Sequence, residues 1–402
     1  MLAEGWQIKN LDAVAQIQLG ATVNSNQMLQ DPIALPYMRV ANVQDGWLDL
    51  QEIEEISIER AHLERFRLRY GDVLLALGGD ADKVGRAEIW RAQIASCVHQ
   101  NHVLAIRTQR QHLLPEYLNA LIGSSYGKTY FRRCANQSTN LASLNSSLVR
   151  EFPLLLPPIG EQKKIMQMLA DFDHAIDCVE RAMSNSQMQK QGWMQQIFSE
   201  QHCFSNAAAD WRSAQLGDLV ALADSALGTQ VAEDFSFRYI EISDVRGGFI
   251  GDELAQYSKA NAPARARRMV QAGDVLLAMV RPNLKRYARA LAVHDGCVAT
   301  SGFAVLRPKA EISTDFLYYS LYSDMMQLQF KISEKGSNYP QLNLEDVKNL
   351  ELRYPNRAEQ ESICNVLGLL ERRIGLEQRS LQTLRQQRAE MFERVLQRVS
   401  GL

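Results

Sequence analysis

The chain has 402 residues, with 44 Lys and Arg against 46 Asp and Glu, for a net charge of −2. That length admits two or three domains, and the near-neutral balance excludes a protein that grips nucleic acid by bulk positive charge. No apolar run approaches a membrane span and the N-terminus lacks the basic and apolar regions of a secretory signal, so the expected location is the cytoplasm. The six cysteines (Cys97, Cys134, Cys178, Cys203, Cys297 and Cys364) include no Cys-x-x-Cys pair, which suits reduced thiols better than a disulfide framework or a zinc site.

The first elements read as a mixed domain. After the opening Trp6-Gln-Ile-Lys-Asn-Leu11, the stretch Val40-Ala-Asn-Val43 predicts a short strand entering a turn at Asp45-Gly46. Gly71-Asp72 is a turn signal before the apolar run Val73 to Leu77, a buried strand by length and composition. A loop with Lys83, Gly85 and Arg86 follows, then a strand from Val103 to Arg107 and helical spacing from Pro115 to Tyr130. Basic residues Lys128, Arg132 and Arg133 come next, and then the small polar run Ser138-Thr139-Asn140 before a Leu144-Asn145 turn.

From Pro157 to Ser199 the pattern changes. Apolar residues recur at alternating steps of four and three: Ile165, Leu169, Phe172, Ile176, Val179, Met183. This is a heptad seam, the signature of a coiled coil.

Past a small, polar linker at Glu200 to Asp210, the whole series returns. Trp211-Arg-Ser-Ala-Gln-Leu216 echoes the opening, and Tyr239-Ile-Glu-Ile242 is the second short strand, before a turn at Gly247-Gly248. Gly273-Asp-Val-Leu-Leu-Ala278 repeats Gly71-Asp-Val-Leu-Leu-Ala76 without change. The loop after it, with the strand to Val280, carries Arg281, Asn283, Lys285 and Arg286. A strand from Phe303 to Arg307 and helical spacing from Thr314 to Phe330 follow, then Lys331 and Lys335, then Ser337-Asn338-Tyr339 before Leu342-Asn343. The second heptad stretch, Pro355 to Ser400, runs through Ile363, Leu367, Leu370, Ile374, Leu381, Leu384, Met391 and Val395, and Asn356 with Glu359 has capping-box spacing. At an offset of 198 residues, Glu161-Gln162 falls on Glu359-Gln360.

One unit of about 200 residues is therefore present twice, too few copies for a solenoid. The expected fold is α+β: two tandem mixed α/β domains (1–156 and 204–354) related by a pseudo-twofold, and two long helices (157–203 and 355–402) paired as an antiparallel coiled coil. At 1.5 Å per residue each helix is about 60 Å long. The seam is broken by a cation in each helix, Lys190 and Arg388. An antiparallel pair centred near Arg181 and Arg379 sets Lys190 opposite Glu371 and Arg388 opposite Asp173, and the alternative is that both cations snorkel to solvent.

This arrangement resembles the specificity subunit of Type I restriction–modification systems over essentially the whole chain. The likeness is carried by the two Trp…Leu openings, the twin Gly-Asp-Val-Leu-Leu-Ala strands, Ser301-Gly302-Phe303-Ala-Val-Leu-Arg307, and the Pro-x-x-x-Glu-Gln entry to each helix. It implies two target-recognition domains, each reading one half of an asymmetric, split double-stranded DNA target. The helices would set the unread spacer and dock partner subunits. It implies no catalysis by this chain, which would assemble with two modification subunits and, in the full complex, with restriction subunits. S-adenosylmethionine, ATP and Mg would belong to those partners, and no cofactor to this chain.

The residues agree with a chain lacking chemistry of its own. No Asn/Asp-Pro-Pro-Tyr/Phe motif is present. Gly123 to Gly127-Lys128-Thr129 has three residues between glycines where a P-loop needs four. Cys97, His99 and His102 lack a fourth metal ligand. The Glu161-Gln-Lys163 run is accounted for by a helix N-terminus, where a carboxylate complements the dipole. The candidate DNA contacts are the three basic or polar clusters in each copy: Lys83 and Arg86 with Arg281, Asn283, Lys285 and Arg286; Lys128, Arg132 and Arg133 with Lys331 and Lys335; Ser138, Thr139 and Asn140 with Ser337, Asn338 and Tyr339. Arg265, Arg267 and Arg268, answered by Arg65, Arg67 and Arg69, are phosphate contacts or surface charge. The alternative function is a coiled-coil adaptor that spaces two protein-binding domains without touching DNA, which the low net charge also allows.

Overall fold

The computed structural model describes residues 4–22, 29–79, 85–138, 141–199, 211–223, 232–336 and 340–400. It divides into two compact units, residues 1–180 with 379–402, and residues 181–378. Each unit takes one globular domain and about half of each long helix, Ile159–Phe198 and Arg357–Ser400. Among the described residues, no helix is long and apolar enough to cross a membrane.

In the first unit, a four-stranded antiparallel sheet has the spatial order Ala15–Leu19, Val103–Thr108, Val73–Ala76, Ala87–Ile89. In the second, the order is Val220–Leu222, Phe303–Pro308, Val275–Ala278, Tyr287–Arg289. The central runs Val73–Ala76 and Val275–Ala278 are buried at every residue because both faces of the sheet are covered. Val73 and Leu75 face one core with the helices, and Leu74 and Ala76 face another with Met38, Trp90 and Cys97. A second sheet lies beside the first in each unit, built on Pro32–Met38 and on Ser236–Ile240.

The repeated Gly-Asp motif has a shared cause. Gly71 (φ +91°) and Gly273 (φ +88°) occupy the left-handed region, which favours glycine. The aspartates behind them are 1% exposed. Asp72 accepts both Arg107 Nε (2.8 Å) and Nη2 (2.7 Å), and Asp274 accepts Arg307 in the same way at 2.9 and 2.8 Å. Each also accepts a backbone N–H at 2.8 Å, from Arg69 or Gln271. These bonds satisfy carboxylates that burial would otherwise penalise heavily.

Two expectations are corrected. Val40–Asn42 is a 3₁₀ turn, and its strand precedes it at Pro32–Met38; the strand expected at Tyr239–Ile242 is the end of Ser236–Ile240, and the 3₁₀ turn Ile242–Asp244 follows it. The side chain of Asn42 accepts Arg39 N at 2.9 Å, and Asp244 accepts Glu241 N at 2.8 Å, a local bond that bends the chain out of the sheet. The helical stretches from 115 and 314 are each two helices, Pro115–Gly123 with Ser125–Cys134, and Thr314–Ser320 with Asp324–Ser333. Ser124 and Ser323 make the break, their hydroxyls accepting Gly127 N at 3.2 Å and Met326 N at 3.3 Å as N-caps.

The long helices pair antiparallel within each unit. In the first, Asp173 meets Arg388 (Oδ2–Nη2, 3.0 Å) and Glu180 meets Arg385 (2.6 Å). In the second, Lys190 meets Glu371 (2.8 Å) and Ser186 meets Glu377 (3.1 Å). Both expected cation–carboxylate pairs are thus present, in different surroundings. Arg388–Asp173 is largely exposed and contributes little. Glu371 also receives Arg289 Nη2 at 2.6 Å and Tyr319 Oη at 2.9 Å, while Arg289 lies over the Tyr318 ring. Burial pushes the Glu371 carboxyl up, but Lys190 and Arg289 outweigh it and hold it below the usual carboxylate value.

Of the seam, Ile165, Leu169, Ile363, Leu367 and Leu381 are buried, and Phe172, Ile176, Val179, Leu370, Ile374 and Leu384 are half-buried. The deepest burial lies where helix ends enter a domain core. Ile165 and Leu169 join Phe392 and Leu396 in the first, and Ile363 and Leu367 join Ile197 in the second. Two paired helices alone shield only one side of each apolar residue.

Each helix entry is fixed by a glutamine with no exposed surface. Gln162 accepts Leu114 N (2.9 Å) and donates to His112 O (2.8 Å) and Pro157 O (2.9 Å). Gln360 accepts Ser313 N (2.8 Å) and donates to Glu311 O (2.9 Å) and Pro355 O (3.0 Å). Replacing Gln162 by Leu strands one buried N–H and two carbonyls, for an expected loss of about 3 kcal/mol. Chemical denaturation and amide exchange at Leu114 check this; an unchanged Leu114 exchange rate would refute the role given to Gln162.

Candidate nucleic-acid interface

The candidate interface lies where the central strand runs past its sheet. Leu77 N donates to His102 O (2.9 Å), and Leu77 O accepts Leu144 N (2.7 Å). In the second unit Met279 N donates to Gly302 O (2.8 Å), and Met279 O accepts Leu342 N (2.9 Å). One residue further on, Gly78 pairs with Ser143 and Val280 with Gln341. The helices Ser125–Cys134 and Asp324–Ser333 feed into the same returning segments. Among the described residues, each unit thus brings three segments far apart in sequence to one edge: the end of the central strand at 77–78 or 279–280, the residue at 102 or 302, and the returning segment at 143–144 or 341–342.

In the second unit, the loop after the strand is strained. Arg281 and Lys285 both have φ of +50°, a left-handed backbone that costs a side-chain-bearing residue about 1–2 kcal/mol. Their surroundings enforce it: Arg281 N donates to Pro340 O at 2.8 Å, and the hydroxyl of fully buried Tyr287 donates to Pro282 O at 2.9 Å. The loop presents Arg281, Asn283, Leu284 and Lys285 to solvent. Strain of this kind concentrates where geometry serves a function.

The remaining candidates differ in what they are free to do. Arg86 donates to Gln44 Oε1 at 2.5 Å, and Arg286 to Ile242 O at 2.8 Å, so both hold their loops against the 3₁₀ segments. Lys128 pairs with Asp45 at 2.6 Å and Lys335 with Asp346 at 3.4 Å. Arg132, Arg133 and Lys331 are exposed and make no ion pair among the described residues. Ser138 lies in the strand Asn136–Ser138. Lys83, Thr139, Asn140, Ser337, Asn338 and Tyr339 lie outside the described residues.

Arg67 and Arg69 pair with Glu64 at 3.1 and 3.4 Å, and Arg65 lies over the Phe66 ring. Arg268 is buried, donating to Ala223 O at 3.3 Å, and Arg267 donates to Ala264 O at 3.0 Å. Arg265 is exposed and lines an open cleft of about 530 Å³ with Ser301, Lys335 and Gln341. Sequence reasoning did not select Gln341; its only signal was its place before the repeated Leu-Asn turn.

Cys97 and His99 are both buried, with His99 Nδ1 2.7 Å from Val103 O, and burial pushes the Cys97 thiol up to about 12. Among the described residues no group of three His, Cys, Asp or Glu is placed to hold a metal ion.

Residues 3–185 and 209–386 match the Type I restriction modification DNA specificity domain, and the chain belongs to that family. It is similar to the HindI specificity subunit of Haemophilus influenzae, 26% identical over 195 residues, which cover 46% of this chain and 40% of the relative. It is similar also to the EcoKI specificity subunit of Escherichia coli K12, 23% identical over 207 residues, 50% of this chain and 43% of the relative. The chain spans about half the length of the curated relatives it matches. In fold it resembles a chain from a structural study of complex assembly and conformational transition of the type I R-M system, with TM-score 0.63 and 17% identity over 98% of each chain. The HsdS subunit from Thermoanaerobacter tengcongensis is a second such likeness, with TM-score 0.52 and 16% identity, covering 98% of this chain and 96% of that one.

The strained loop supplies a test of its own. Lys285→Gly relieves the left-handed strain and is expected to raise stability by up to about 1 kcal/mol. If the loop meets a polyanion, the same variant weakens duplex binding by the assembled protein and lowers its salt dependence. Paired melting and binding titrations check both; a variant that is more stable and binds as before would leave the loop without a binding role.

Proposed function

We propose that this chain is the DNA-specificity subunit of a type I restriction–modification complex. Each unit reads one half of a bipartite, asymmetric double-stranded target. The observation that carries this is the matched edge: the same backbone joints in both units, bearing different side chains. Asn101-His102 stands where Ser301-Gly302 stands, and Ser143 where Gln341 does. A shared scaffold with divergent edges suits two readers of different half-sites, because base contacts need different side chains. Membership of the specificity-domain family supports the same reading.

In this role the chain has no catalysis and no cofactor of its own, and it works in the cytoplasm. Two modification subunits and, in the full complex, restriction subunits supply the chemistry, together with S-adenosylmethionine, ATP and Mg. With a net charge of −2, this chain contributes little of the non-specific phosphate attraction. The isolated chain is expected to bind DNA weakly, and its complex with the modification subunits tightly. Mobility shifts across a salt series test this. Tight, specific binding by the chain alone at physiological salt would overturn the division of labour, and no salt-dependent affinity in the complex would favour a protein-binding adaptor.

The helices also set a length. A heptad adds about 10.5 Å to a helix, close to three base pairs of rise, since each pair adds about 3.4 Å. Inserting one heptad after Met183 and one after Leu381 keeps the seam in phase. The half-sites should survive while the gap between them grows by about three pairs. Because the duplex turns once in about 10.5 pairs, the second reader also swings by roughly 100°, so affinity falls even at the best new gap. A methylation screen over every gap length reads the outcome, and an unchanged gap would remove the helices as the ruler.

A further inference from the structure

The matched edges allow a station-by-station comparison. In the second unit Gln341 is held from two sides by backbone. It bridges Val280, and it exchanges bonds with Lys335, Lys335 N to Gln341 O at 3.0 Å and Gln341 N to Lys335 O at 3.1 Å. Leu342, next in the chain, is anchored to Met279 at 2.9 Å. The Gln341 side chain is exposed on this fixed backbone and makes no hydrogen bond among the described residues. Arg265, across the cleft, is exposed and makes no ion pair among the described residues. Its backbone carbonyl is fixed by Ser301 N at 2.7 Å.

Several other polar groups near this edge are already engaged. Lys128 and Lys335 have carboxylate partners, and Arg86 and Arg286 are spent inside the fold. Lysines on flexible stems suit phosphates, whose contacts carry no sequence information. A carboxamide on a fixed backbone presents a donor and an acceptor side by side, the complement of adenine N6 and N7 in the major groove. A guanidinium likewise complements guanine O6 and N7.

We infer that Gln341 is a base-reading residue for the half-site taken by the second unit, with adenine as its partner. Arg265 reads a neighbouring base from the other wall of the cleft. Ser143, at the matched position of the first unit, holds the equivalent station there. This inference rests on the proposed function.

The test uses the complex assembled with the modification subunits and a duplex library randomised across both half-sites and the gap. The wild-type complex should select two half-sites. Gln341→Ala should lower discrimination at one position of one half-site by about tenfold, the scale of one bidentate base contact, and leave the other half-site and the salt slope intact. Gln341→Glu, which keeps the shape and replaces the donor, should move the choice at that position toward cytosine. Melting of each variant should match wild type, since Gln341 is exposed and its structural bonds are backbone. Variants that select the wild-type sequence with wild-type stringency overturn the inference. So does a uniform loss of affinity with a smaller salt slope, which marks a phosphate contact. A wild-type complex that selects no sequence overturns the DNA-recognition reading itself, and this inference with it.

Discussion

Everything in each unit depends on how a globular domain holds the start of a long helix, and one buried side chain does most of that. Gln162 and Gln360 have no solvent exposure, and each joins the residues before its own helix to the loop that opens the domain's helical pair. A carboxamide suits this place because it donates twice and accepts without carrying charge. A carboxylate would supply no donor, and an apolar residue would strand three backbone groups where water cannot reach them. The neighbouring positions reinforce the joint. Trp6 Nε1 donates to Glu161 at 3.0 Å, and the strand Gln7–Asn10 pairs antiparallel with Pro153–Leu156, which leads into the helix. The domain's first strand, its last strand and the helix entry thus form one rigid corner.

Much of this was legible in the sequence because the chain states it twice. The Gly-Asp strand, the Glu-Gln helix entry and the partnering arginines Arg107 and Arg307 recur with near-constant spacing, and in the structure each has a short-range cause in φ, burial or pairing. What was missed comes from bonds that periodicity does not register. Val40-Ala-Asn-Val43 has strand composition, yet one side-chain bond from Asn42 curls it into a 3₁₀ turn. Ser124 and Ser323 cut a continuous helical pattern because a cap at a serine leaves the apolar spacing on both sides undisturbed. Gln341 was passed over for a different reason: its pairing with Val280 joins segments about sixty residues apart, and the only local mark is the repeated Leu-Asn turn that follows it. The cations Arg86 and Arg286, candidate DNA contacts by sequence, are held inside the fold by Gln44 and by the Ile242 carbonyl.

The two units are alike in scaffold and unlike in how firmly the helix pair is clasped. In the second, Glu371 gathers Lys190, Arg289 and Tyr319, with Asp315 on the far side of Arg289 at 2.7 Å. In the first, the matched pair is Asp173 with Arg388, open to water. A network buried behind aromatic rings fixes geometry because breaking any member strands the others, whereas an exposed pair exchanges readily with solvent. Duplication therefore did not make two equal halves: the helix seam is set by apolar packing in both and locked by charge in one.

The near-neutral chain and a DNA-reading role are compatible once affinity and specificity are treated as separate quantities. Phosphate attraction scales with the number of free cations and fades with salt, and it is the same for every sequence. Discrimination needs few groups, provided they stand on backbone that does not yield when the wrong base is offered. The edge of each unit fits the second requirement. Its backbone is tied through Leu77 or Met279 to both flanking segments, while several of its cations already have acidic or carbonyl partners. A chain built this way gains little by adding charge, because extra lysines would strengthen binding to every site alike. In the proposed role, leaving the bulk attraction to partner subunits would keep the ratio between right and wrong sequences with the few side chains that face the bases.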